Sequence, residues 1–166
     1  MFLQILFIAF ITVIVAVIIN GIERYHKKND TTTISFKEAM DLVELPIITF
    51  YNCNTKLNFL LDTGSNNSHI NKKMLPWLIY KDSNVNTEII GMEGNKSNCS
   101  ICNMTITYKN DSFDDDFCIT DLSDAFSVIK EETGVQVHGI LGSKFFQKYQ
   151  YILDFENLTA YYKNNG

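Results

Sequence analysis

Asp62 follows two leucines directly, in the run Phe59-Leu60-Leu61-Asp62-Thr63-Gly64-Ser65. A carboxylate at the border of an apolar run is poorly solvated, and one held rigidly there is prepared to act as a general acid or base. Thr63 and Gly64 allow a sharp reversal after it, since glycine tolerates conformations that other residues avoid. The Thr63 hydroxyl and nearby backbone N–H groups are candidates to hydrogen-bond the carboxylate, and Ser65 to meet its outer oxygen. Two other glycine-bearing segments stand out, Gly91-Met92-Glu93-Gly94 and Ile140-Leu141-Gly142. His69 and His138 flank the Asp62 and Ile140 segments. A histidine there can tune a pH response, but a structural or solvent-facing role is the plainer reading.

The remaining chemistry-bearing residues carry weaker signals. Cys53, Cys99, Cys102 and Cys118 are even in number, which leaves a disulfide reading open. Cys99 and Cys102 form a C-x-x-C, but the stretch around them reads as strand and lacks the two further ligands of a zinc site. They are read as ordinary thiols, and no metal or cofactor is expected. The run Asn110-Asp111-Ser112-Phe113-Asp114-Asp115-Asp116 lacks the glycine and closing glutamate of a calcium loop. It is read as a solvated acidic loop, and Asp154 as a turn or surface residue.

Short apolar runs punctuated by turn residues must position these groups. Residues 43–52 and 55–62 read as a hairpin about Asn52–Thr55. Residues 86–110 read as two strands about a turn at Gly91–Asn95, and residues 114–122 as a further strand. Residues 123–134 read as a helix stopped by Gly134. An apolar run with Gly139 and Gly142 leads into a short helix, and residues 151–163 close with a hairpin turning near Glu156-Asn157. Many short strands with few helices predict a small barrel or closed sheet. The expected fold class is all-β, with one or two short helices.

On these residues a resemblance rests. Leu60-Leu61-Asp62-Thr63-Gly64-Ser65 resembles the active-site motif of aspartic proteases, and a single domain of this length resembles the retropepsin type. Gly91-Met92-Glu93-Gly94 resembles the tip of the flap hairpin, and Ile140-Leu141-Gly142 with the helix after it resembles the segment near the end of the lobe. Residues 151–162 resemble the terminal strands of bacterial and retroelement members. The resemblance covers about residues 43–163. It implies an aspartic endopeptidase with Asp62 catalytic and Thr63, Gly64 and Ser65 supporting its loop. Such enzymes hold a water between two carboxylates that share one proton. This chain has one such motif, so the resemblance implies a homodimer in which each copy supplies Asp62, acting on a peptide or protein substrate. Thr63 would bond across the pair. Retroviral members commonly carry an arginine where Ser143 stands, and residues 108–134 exceed a minimal viral lobe. The alternative is a protease-like domain retained for binding or dimerisation with little turnover.

Length and composition agree. The chain has 166 residues, 46% apolar and 13% aromatic, which suits one packed domain. Its net charge of -5 argues against a nucleic-acid partner. Residues 2–20 carry no charge and match a membrane span in length. A cleaved signal peptide would open with basic residues and have a shorter apolar core, so a retained transmembrane anchor over residues 1–21 is expected. A juxtamembrane linker over 22–42 and the protease-like domain over 43–166 follow. Arg24, Lys27 and Lys28 just after the run place the domain in the cytoplasm by the positive-inside rule.

Overall fold

A computed structural model describes residues 31–90 and 96–163. The expected anchor, residues 2–20, and the expected flap tip, Gly91, Met92, Glu93 and Gly94, lie outside the described residues. Among the described residues no helix is long and apolar enough to cross a membrane. The compact unit treated below is Thr33–Tyr162.

The unit is mostly β. In chain order its strands are β1 (Thr31–Ser35), β2 (Ile47–Asn52), β3 (Thr55–Leu61), β4 (Ser68–Asn71), β5 (Lys81–Ile90), β6 (Lys96–Tyr108), β7 (Asp111–Thr120), β8 (Gly139–Leu141), β9 (Ile152–Asp154) and β10 (Thr159–Lys163). Three short α-helices intervene: α1 (Lys37–Val43), α2 (Ser123–Thr133) and α3 (Ser143–Lys148). A 3-10 helix spans Lys72–Trp77. The large sheet runs β2-β3-β8-β4-β7-β6-β5, and a further β2–β6 pairing closes six of its strands into a ring. That closing seam is one residue pair wide, Tyr51 with Thr107, and the Thr107 hydroxyl donates to the Tyr51 carbonyl at 3.3 Å. The β2–β3 hairpin turns through Cys53, which takes positive φ (51°).

Period-2 burial explains most strands. On β3, Leu57, Phe59 and Leu61 point inward while Lys56 and Asn58 point away. The core is aromatic: Phe50, Phe59, Phe113, Phe117 and Phe145 are fully buried. Phe50 meets Phe113 edge-on, with centroids 5.7 Å apart and planes at 88°, a geometry that ring quadrupoles favour. A second cluster of Ile47, Phe126 and Val137 lies under α2. That helix ends at Gly134, in the left-handed region at φ 76°, as the sequence reading has it.

The lobe itself holds two short α-helices, α2 and α3, as expected, and α1 precedes it. Several expectations change. The stretch read as linker holds β1 and α1, and its Ile34 and Phe36 enter the main core. Three threonines mask them in sequence, and their burial comes from a distant partner, since β1 joins β10 and β9 in a separate three-stranded sheet. The run read as an acidic loop is strand β7. Phe113, Asp115 and Phe117 face inward and Asp114 and Asp116 face out, so alternation overrides charge density. Asp154 does hold a turn: its carboxylate accepts from the Glu156 and Asn157 N–H groups, both at 3.0 Å.

Candidate active site

Strand β3 delivers Asp62 one residue past the buried Leu61. The neighbouring strand is β8, parallel to β3, with Leu61 paired to Leu141. The Asp62 N–H continues that ladder by donating to the Leu141 carbonyl at 3.0 Å. Asp62 and the Ile140-Leu141-Gly142 segment, 78 positions apart where they begin, therefore end side by side. The carboxylate is half-buried, and its Oδ1 accepts the Gly64 N–H at 2.9 Å. The Ser65 N–H closes the turn onto the Asp62 carbonyl at 3.2 Å.

Gly64 has a different role from the one expected. Its φ is not positive, so the reversal needs no glycine for conformation. A Cβ there would lie 3.2 Å from Asp62 Oδ1, and its absence leaves the carboxylate room. Ser65 also departs from expectation. Its hydroxyl donates to the Asn67 carbonyl at 2.8 Å and braces the loop instead of the carboxylate's outer oxygen. Thr63 is exposed. Among the described residues, no second carboxylate hydrogen-bonds to Asp62.

The start of α3 fastens the loop from the other side. A helix leaves its first N–H groups without intrahelical partners. Here the Ser143 N–H donates to the Ser65 carbonyl at 2.8 Å and the Lys144 N–H to the Asn66 carbonyl at 3.2 Å. The Ser143 hydroxyl also reaches the Ser65 carbonyl at 3.0 Å, and Lys144 Nζ reaches Asn67 Oδ1 at 2.8 Å. Gly142 lets these backbones meet.

A buried polar chain continues inward. The Gly142 N–H approaches Ser68 Oγ at 3.4 Å, and that hydroxyl donates to Asp115 Oδ2 at 3.0 Å. Lys148 Nζ stands 3.6 Å from Asp115 Oδ1. Burial pushes the Asp115 carboxyl above its ordinary range, opposed in part by the Ser68 bond and the Lys148 charge. A cavity of about 350 Å³ opens beside this chain, with Asn67, Ser68, Ile101, Asp115, Cys118 and Lys148 among its lining. Ser68 and Asp115 are not among the site residues expected from the sequence, and Ser143 enters there only as a departure from retroviral members. An aspartate between two phenylalanines at period-2 spacing was the available signal for Asp115; Ser68 and Ser143 give none.

The histidines are structural in their contacts. His138 Nδ1 accepts the Asn58 N–H at 2.9 Å, which fixes its proton on Nε2 when neutral. His69 Nδ1 pairs with Thr120 Oγ1 at 3.0 Å. Burial lowers the pKa of both. For His69 the Asp62 charge works against burial, so the two share one electrostatic neighbourhood. The cysteines are free thiols, with Cys53 exposed and the other three buried. Cys102 belongs to the main core and Cys99 does not, as a three-residue offset on a strand predicts.

No protein-family model matches the sequence, and no curated protein matches it. Among solved structures, the chain is similar to a retropepsin-like aspartic protease from Rickettsia conorii, with 12% identity and a TM-score of 0.47, over 80% of this chain and 90% of that one. A likeness at that score carries no argument about chemistry.

Proposed function

We propose that the chain is an aspartic endopeptidase that works as a homodimer, each copy supplying Asp62 to one shared site. The supporting observation is the setting of Asp62. It directly follows a core strand, accepts a backbone N–H at 2.9 Å, and sits on a loop whose carbonyls are tied to α3. A carboxylate placed this way holds its position without being sealed from solvent, as a water-activating group must. In the reaction the ionised carboxylate takes a proton from water, and the water oxygen attacks the scissile carbonyl carbon. The protonated carboxylate of the other copy donates to the carbonyl oxygen. Collapse of the tetrahedral species breaks the C–N bond as the nitrogen takes up a proton. Two carboxylates that close cannot both ionise readily, so the pair titrates in two separated steps.

The exposed Thr63 on each loop is available to bond across the pair, and the segment 91–94 is proposed as the flap. Residues 2–20 are proposed as a single-pass anchor with the domain on the cytoplasmic side. An anchor favours pairing, because two chains in one membrane meet at a raised effective concentration. The test is cleavage of a mixed peptide library by the full chain and by Asp62→Asn, with and without pepstatin. The amide matches the carboxylate in size but cannot serve as base, so cleavage should vanish while the melting temperature stays near that of wild type. Cleavage by a pure Asp62→Asn sample at the wild-type rate rules the assignment out. A folded wild type that dimerises and binds peptides without cutting them supports the binding-domain alternative.

A further inference from the structure

The eleven residues from Asn71 to Lys81 hold three lysines, the chain's one tryptophan, an isoleucine and a tyrosine, and no acidic residue. This stands out in a chain of net charge -5. Met74, Leu75 and Leu78 pack on the core. Leu78 is extended (φ -108°, ψ 149°), and from there side chains alternate. Trp77 and Ile79 face solvent, 64% and 67% exposed. Lys72, Lys73 and Lys81 are exposed as well.

The backbone beneath Trp77 and Ile79 is clamped. The Thr55 hydroxyl donates to the Trp77 carbonyl at 2.8 Å. The Asn52 side chain accepts the Ile79 N–H at 2.7 Å and donates to the Ile79 carbonyl at 3.0 Å. Asn52 is itself buried, and it also donates to the Thr105 carbonyl at 2.9 Å. The two apolar side chains are therefore held outward by a fixed support, not carried on a loose loop. No carboxylate lies within the segment to offset its three lysines; outside it, Asp82 is next in sequence, Asp121 feels the charges of Lys72 and Lys73, and Asp116 lies one strand beyond Asn103, the residue paired with Lys81.

We infer that this face docks on an anionic lipid bilayer. A tryptophan with an aliphatic neighbour suits the headgroup boundary, and lysines flanking it suit anionic headgroups. The chain outside the described residues points to the same occupant. The proposed anchor ends at residue 20, with ten residues between it and Thr31, so the tether reaches about 40 Å at most. The inference rests on the proposed anchor only for that tether, and it is independent of peptidase activity. Docking would fix which face of the domain meets the membrane.

Because the chain has one tryptophan, its fluorescence reads this face alone. The full chain is mixed with vesicles of phosphatidylcholine with phosphatidylserine, or of phosphatidylcholine alone, each with brominated acyl chains. Docking predicts a blue shift of Trp77 emission, loss of iodide quenching and gain of bromine quenching on the anionic vesicles. All three should weaken in Lys72→Glu/Lys73→Glu/Lys81→Glu. They should weaken in the wild type at high salt too, which needs no variant to fold. An alkaline carbonate wash reads the anchor separately. A chain stripped by carbonate but quenched by brominated anionic vesicles keeps the docking inference and rejects the anchor. A chain that resists carbonate while Trp77 stays open to iodide overturns docking. A lipid-independent blue shift that grows with protein concentration also overturns it, and assigns the face to a second copy.

Discussion

Alanine at position 142 would put its Cβ 2.4 Å from the Asn67 carbonyl oxygen, 2.5 Å from that carbonyl carbon and 2.9 Å from the Ser65 carbonyl oxygen. Non-bonded contacts settle nearer about 3.5 Å, and all three obstacles are backbone. Either the loop or α3 must retreat by about 1 Å. That withdrawal strains the Ser143 and Lys144 N–H bonds to the loop and the Ser143 hydroxyl bond. Overpacking contributes about 1–3 kcal/mol and each of the three weakened hydrogen bonds about 1 kcal/mol, for a loss of about 4–6 kcal/mol. For a domain of this size about 3–4 °C of Tm goes with each kcal/mol, so Gly142→Ala should melt about 12–24 °C below wild type. Gly134→Ala is the control. There φ is 76° but no atom lies within 4 Å of the new Cβ, so only left-handed strain of about 1 kcal/mol is expected. Scanning calorimetry of the three proteins in one buffer decides. A Gly142→Ala protein that melts as high as Gly134→Ala would refute the claim that this close approach holds the Asp62 loop.

Three further outcomes are expected. Burial raises the Asp115 carboxyl above its ordinary 3.8, so the native state loses stability as pH rises from that value through the folded one, and the Ser68 hydroxyl limits the loss. Ser68→Ala should therefore cost about 1–3 kcal/mol near neutral pH and clearly less near pH 3; urea melts showing equal loss at both would contradict it. Tyr151 has its hydroxyl buried with no hydrogen-bond partner among the described residues, and its ring packs on Tyr162 with centroids 5.2 Å apart. Tyr151→Phe should raise stability by about 1 kcal/mol, and a destabilised variant would point to a hidden partner. With Cys53 exposed and Cys99, Cys102 and Cys118 buried, and burial pushing Cys102 to about 11 and Cys118 to about 12, a chromogenic disulfide should titrate one thiol in the native protein and four in denaturant. Fast reaction of more than one native thiol would show that the sheet around Cys118 opens readily.

Legibility followed the range of the signal. The hairpin about Cys53, the helix ending at Gly134 and the turn at Asp154 are local, and each was written in neighbouring residues. The ring was anticipated as a class, but its seams were not, since β3 pairs in parallel with a strand 80 positions on, Phe59 with Gly139. Ile34 and Phe36 hid behind threonines because their burial depends on a sheet partner more than a hundred positions away. The aspartates of β7 suppressed a plain Phe-x-Asp-x-Phe alternation, and with it Asp115, a buried acid beside the loop. Asp62 was singled out by type and neighbours, whereas Ser143 and Ser68, which brace its loop and the segment beside it, are ordinary serines whose value is set by position alone.

The clamp between Ser65 and Ser143 spans 78 positions, and this has a consequence in time. A ribosome adds about 5–20 residues per second, so the Asp62 loop leaves the tunnel several seconds before its fastener exists. Throughout that interval the loop lacks its four bonds from α3, and the carboxylate has no fixed bearing. Protease nicking at Asn66-Asn67 in ribosome-held chains cut short of Gly142, absent from chains carried past Lys148, would register the gap. Until α3 is made, the Asp62 loop stands without the backbone ties that hold it in the folded chain.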